Sequence, residues 1–162
     1  MENNLKIRSA EINDTPIILK LIKDLSIYEK LTHQFINNEV LLKKYLFGEK
    51  RFAEVLIADF KNQPVGFALF FHNYSTFVGK PGIYLEDLFV QPEMRGKGIG
   101  KELFLRLVKI AKERNCGRVE WSVLNWNTPA IDFYKNMGAV PMDEWTVYRL
   151  TADKIDTIVS KK

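Results

Sequence analysis

Apolar residues Ile17, Ile18, Leu21, Ile22, Leu25 and Tyr28 recur at three- and four-residue steps. That spacing gathers them on one face of an amphipathic helix. Asn13-Asp14-Thr15-Pro16 precedes them, which predicts Thr15 as the N-cap and Pro16 in the first helical position. Val40, Leu41, Tyr45 and Leu46 predict a second helix. The pattern then changes to short apolar runs broken by turn residues, the signature of strands. Leu5–Ser9, Ala53–Phe60, Val65–Tyr74 and Ile83–Val90 read as strands, the middle pair joined by the turn Lys61-Asn62-Gln63-Pro64. Helical spacing returns with Ile99, Leu103, Leu107, Ile110 and Ala111, in a helix expected over about 98–114. Arg118–Val123 predicts a strand, Thr128–Met137 a short helix stopped by Gly138, Val147–Leu150 a closing strand, and the chain from Asp153 a last helix. The order predicts a mixed α/β fold: one twisted, mostly antiparallel sheet of about six to seven strands, flanked by about four to five helices.

Composition narrows the class. At 162 residues the chain fits a single domain, 1–162, that buries about 70% of its unfolded surface. One cysteine, Cys116, leaves no internal disulfide and suits a reducing compartment. The polar segment Met1–Arg8 lacks a signal peptide's apolar stretch, and the run Val65–Phe71 is far shorter than a membrane span. A cytoplasmic protein is expected. The net charge of +4 comes from 24 basic residues dispersed among 20 acidic ones, not the clustered footprint of a nucleic-acid binder. A cofactor bearing phosphates accounts for the excess equally well. His33 and His72 stand apart and suggest no metal site.

The segment Arg95-Gly96-Lys97-Gly98-Ile99-Gly100 joins a predicted strand to a predicted helix. Unpaired N–H groups and the helix dipole make such a junction an anion site, and glycines let phosphate oxygens reach the backbone. Two common phosphate motifs fail. The P-loop requires Gly at Arg95 and Ser or Thr at Glu102. The dinucleotide fingerprint requires Gly at Lys101 or Leu103. What remains is Arg-x-x-Gly-x-Gly at a helix start.

That motif, with Asn127-x-x-Ala130-x-x-x-Tyr134 and Lys135-x-x-Gly138-Ala139 downstream, resembles the GNAT superfamily of N-acetyltransferases. The resemblance runs nearly the whole length. It includes Ile7-Arg8, Leu21 to Lys30, Tyr84-Leu85-Glu86-Asp87-Leu88-Phe89-Val90 and Trp126-Asn127, and is nearest to the spermidine/spermine and thialysine acetyltransferase branch. It implies acetyl-CoA as co-substrate, with its pyrophosphate on the loop Arg95, Gly96, Lys97, Gly98, Ile99, Gly100 and with Lys101 near the phosphates. Leu88, Phe89 and Val90 would meet its acetyl end through the backbone. Asn127, Pro129, Ala130, Tyr134 and Lys135 would complete the cofactor site. Tyr28, Glu29 and Glu86 would contact the amine. Tyr28 also suits a core position on its helix, and Lys97 and Lys135 also suit solvated surface.

An amine attacks a thioester only when neutral, and a free alkylammonium holds its proton up to a pKa near 10.4. Glu86 is the candidate to receive that proton through water or to hold the cation, and Tyr134 the candidate to protonate the leaving thiolate. Strand alternation points Asp87 away from the face of Glu86, and Glu86 is favoured. The family's polyamine enzymes carry a further glutamate where Thr146 stands here, with Glu144 two residues earlier. The expected acceptor is therefore a small cationic amine, a polyamine, a diamine or a lysine analogue. A protein lysine or N-terminus, and a non-catalytic coenzyme A-binding module, are the alternatives. Resemblance also implies a homodimer, with the chain after Leu150 as a candidate contact. Neither a nucleic acid nor a membrane is expected as partner.

Overall fold

The computed structural model describes residues 4–161, which form two compact units dividing after Ser122. The first contains a five-stranded sheet in the order β1 (Leu5–Ser9), β2 (Glu54–Phe60), β3 (Gln63–Ser75), β4 (Lys80–Val90) and β5 (Val119–Trp121). Neighbours are antiparallel except β4 and β5, which run parallel. Their connection is the helix α3 (Ile99–Glu113), as a parallel pair requires. Helix α1 (Thr15–Tyr28) and the short α2 (Glu39–Leu42), which continues as a π-helix over Lys43–Phe47, complete this unit.

The expected periodicities place the core. Ile18, Leu21 and Leu25 of α1 and Leu42 of α2 pack with Val55, Ile57, Phe67 and Phe89 of the sheet. Phe67 is fully buried and pairs across the ladder with Phe89, so the two rings share one sheet face, 6.4 Å between centroids. Ile99, Leu103, Leu107 and Ile110 form the buried stripe of α3. Gly100 of that helix approaches Val90, whose cross-strand position alternates with Phe89, so α3 covers the opposite face.

Thr15 is not the N-cap. It is the first residue of α1, fully buried, and its hydroxyl donates to the Ile12 carbonyl at 2.5 Å. Asp14 takes the cap position, held by both terminal nitrogens of Arg8 at 2.7 and 2.9 Å. A charge-assisted pair from β1 therefore fixes the helix start, which local sequence cannot announce.

In the second unit, α4 (Thr128–Asn136) and α5 (Ala152–Val159) are the regular elements. Gly138 adopts φ +87°. Its N–H bonds the Lys135 carbonyl at 2.9 Å, and the Ala139 N–H bonds that of Tyr134 at 3.1 Å. This is the paired closure of a Schellman end. The predicted strand Val147–Leu150 does not form, and the sheet has five strands among the described residues rather than six to seven. The stretch is rich in strand-forming residues, but a strand forms only where a ladder is made. Val147, Tyr148 and Leu150 are exposed instead. No helix among the described residues is long and apolar enough to cross a membrane.

Candidate active site

The site forms where β4 outruns β5. The parallel ladder stops at Leu85–Trp121, while β4 continues to Val90. Sheet ligands characteristically bind beyond such carboxyl ends. Within this stretch the β3–β4 register shifts: Leu69 pairs with Asp87 but Phe70 pairs with Leu85. Glu86 is the extra residue of a β-bulge, which breaks the side-chain alternation.

The bulge decides which acid faces where. Asp87, opposite Leu69, shares the face of Phe67 and Phe89 beneath α1. It is half-buried, whereas Glu86 is exposed. Burial, followed by the charges of Glu86 and Glu29, pushes the Asp87 carboxyl up to about 7. Glu29 caps the C-terminal end of α1, and burial raises its carboxyl as well. Neither Asp87 nor Glu29 has an ion-pair partner among the described residues. The charges of Glu86 and Glu29 thus both bear on Asp87. Alternation alone separates Asp87 from Glu86, but a bulge at Glu-Asp carries no local sequence signal.

Tyr28, the last residue of α1, is half-buried and lies 6.5 Å from the Phe89 ring. The Arg95 guanidinium stacks on it at 4.1 Å and donates from Nε to the Val90 carbonyl at 3.0 Å. Leu88 is half-buried, and Phe89 and Val90 are buried, so these three present main chain more readily than side chain.

After the turn Pro92–Met94, Gly96 and Gly98 take φ +76° and +78°. A Cβ on either would meet no atom within 4 Å; backbone angle, not crowding, demands glycine there. Gly98 is the N-cap of α3 and offers no side-chain cap. Among the described residues, the N–H groups of Gly96 to Lys101 have no protein acceptor. Such a run of exposed amides at a helix start fits a pyrophosphate. Ile99 is buried in the core and can contribute only its amide, and Lys101 is exposed. The Lys97 ammonium lies 5.6 Å from the Phe60 ring, 3.5 Å from the Glu93 carbonyl and 3.4 Å from the Met94 sulfur. Gly98→Ala forces a Cβ into the left-handed region and is expected to cost about 1–2 kcal/mol. Urea unfolding checks that cost.

The remaining predicted residues lie on the second unit. Asn127 is buried at the N-cap of α4, Pro129 and Ala130 occupy its first turn, and Lys135 is exposed in its last. Tyr134 is half-buried against Phe133, with centroids 5.2 Å apart. No group of three His, Cys, Asp or Glu residues suited to a metal occurs among the described residues.

The model of the acetyltransferase (GNAT) family matches residues 22–139, across both units, and the chain belongs to that family. It is an N-acetyltransferase that uses acetyl-CoA. The thialysine N-epsilon-acetyltransferase of Bos taurus is 36% identical over 96% of this chain and 97% of its own length. The L-ornithine N5-acetyltransferase NATA1 of Arabidopsis thaliana is 33% identical over 94% of this chain and 87% of its own. Among solved structures, an integron cassette protein from the mobile metagenome of V. cholerae superposes with a TM-score of 0.81 at 26% identity, covering 96% of this chain and 98% of the other.

Proposed function

We propose that this enzyme acetylates a primary amine of a small cationic metabolite: a lysine or ornithine analogue, or a diamine or polyamine. The carrying observation is the pair of half-buried carboxyls, Asp87 and Glu29, that have no ion-pair partner among the described residues, beside the exposed Glu86 at the bulge of β4. Acids crowded out of water retain protons until a cation replaces them. An ammonium or diammonium acceptor supplies that cation. The relatives named for thialysine and ornithine acetylation support the same class.

Acetyl-CoA brings an activated acyl group on a thioester. The amides of Gly96 to Lys101 hold its pyrophosphate, and the Asn127–Lys135 helix receives the rest of the cofactor arm. Glu29 and Tyr28 hold the acceptor, and Asp87 takes the ammonium proton, directly or through water. A base titrating near 7 is better matched to neutral-pH proton transfer than an ordinary carboxylate. Glu86, on the exposed side of the bulge, attracts and orients the cation. As the amine nitrogen bonds to the acyl carbon, a main-chain N–H at Leu88 stabilises the oxyanion. The C–S bond then breaks, Tyr134 passes its phenolic proton to the departing thiolate, and the remaining extra proton on the nitrogen returns to the phenolate, directly or through water. In this reading the chain is one N-acetyltransferase domain acting in the cytoplasm as a homodimer. The exposed Trp145, Val147, Tyr148 and Leu150 and the α5 residues Ile155, Ile158 and Val159 supply the contact with a second copy.

The test is coenzyme A release from acetyl-CoA with thialysine, lysine, ornithine, putrescine, spermidine and an aminoglycoside, against acidic and neutral amines. Activity confined to compact dicationic or amino-acid amines is expected. Preference for a lysine-containing peptide over all of these would refute the small-acceptor reading.

A further inference from the structure

Arg95 stands first in the motif assigned to the cofactor phosphates, but its side chain is engaged elsewhere. The guanidinium carbon lies 4.1 Å from the centre of the Tyr28 ring and 5.6 Å from that of Phe89. Nε bonds the Val90 carbonyl at 3.0 Å. Tyr28 packs on Phe89, which packs on the fully buried Phe67. A column of aromatic rings thus rises from the core and ends under the guanidinium. Lys97, the other cation between the glycines, also leans on a ring, that of Phe60. The loop therefore turns its basic side chains back onto the fold and leaves its main-chain amides outward.

We propose that Arg95 is a positioning residue, a latch that fastens the cofactor loop to the acceptor end of α1, so that Tyr28 sets the loop's affinity for coenzyme A. The inference rests on the reading of this loop as a coenzyme A site. The guanidinium suits the task because its plane lies on a ring while one edge donates to a carbonyl. An ammonium cannot satisfy both demands at once. The latch joins the two substrates energetically. Whatever an acceptor does to Tyr28 and Glu29 is felt at the loop, and coenzyme A acts on the acceptor by the same factor.

Calorimetric titration of the full chain with coenzyme A separates a latch from a phosphate ligand. Arg95→Lys and Tyr28→Ala should each weaken binding by about two- to fivefold, the range of a cation–π contact at an exposed guanidinium. Tyr28→Phe, which keeps the ring, should restore nearly wild-type affinity. The double variant Arg95→Lys/Tyr28→Ala should bind no more weakly than the weaker single one, and the salt dependence should stay as in wild type. Wild-type affinity in Arg95→Lys, undiminished affinity in Tyr28→Ala, or losses that multiply in the double variant would each overturn the latch. If the wild-type protein does not bind coenzyme A, the functional reading fails separately. The latch is then decided by melting temperatures of the same four proteins: coupled losses uphold it and additive losses overturn it.

Discussion

Replacing Tyr134 by Phe is expected to lower turnover by about 10²- to 10⁴-fold, the usual weight of a positioned general acid, while coenzyme A affinity stays near wild type. The change removes one hydroxyl and keeps the ring and the main chain. The ring that packs on Phe133 at 5.2 Å remains. So does the main-chain carbonyl at this position, which accepts from the N–H groups of Met137 and Ala139 at 3.1 Å each. The main-chain closure at Gly138 is therefore preserved. Thiol release measured at saturating amine, beside a calorimetric coenzyme A titration, checks both halves of the expectation. Unchanged turnover would take Tyr134 out of the mechanism.

The second large effect concerns Asp87. In wild type, kcat/KM should rise with pH through about 7 as this carboxyl ionises, separately from the later limb set by the amine itself. Asp87→Asn should remove the limb near 7 and reduce kcat/KM by about 10²-fold or more. The same variant should have the opposite effect on stability. The unfolded carboxyl titrates near 3.8 and the folded one near 7. Between those values the folded protein holds a proton that the unfolded chain has released, so wild-type stability falls as pH rises from about 4 to about 7. An amide cannot ionise and escapes that loss. Asp87→Asn should therefore melt higher than wild type above pH 7, with the gap closing toward pH 4. An inactive variant that is no more stable at pH 8 would show that Asp87 is not held near 7. A fully active one would move the base to another group.

The elements that organise this site were largely readable in the chain. The α1 and α3 stripes, the β2–β3 turn and the strand–glycine–helix junction all follow periodicities or backbone needs that the residues carry locally. Gly96 and Gly98 are where the motif placed them, with the angles that only glycine adopts cheaply. What escaped were features created by pairing between distant segments. The bulge at Glu86 exists because β3 and β4 meet with one residue to spare, and neither strand announces it alone. Alternation separates Glu86 from Asp87, but that Asp87 is the one beneath α1 follows only from the register of β3 on β4. Asp14 displaced Thr15 as the cap because Arg8 reaches it from β1. Val147–Leu150 has the residue types of a strand but pairs with no described strand. The motif puts Arg95 in the glycine loop, whereas the place of its side chain over Tyr28 depends on where α1 ends.

The outward amides between Gly96 and Lys101 bear on how this enzyme can diversify. A surface made of main chain has no residue identity to lose: exchanging Lys97 or Lys101 alters its electrostatics but leaves the peptide dipoles aimed as before. The proposed acceptor end is built the other way, from the side chains of Tyr28, Glu29 and Asp87. Ordinary point mutation can therefore redirect the enzyme to new amines while its demand for the acyl donor stays fixed.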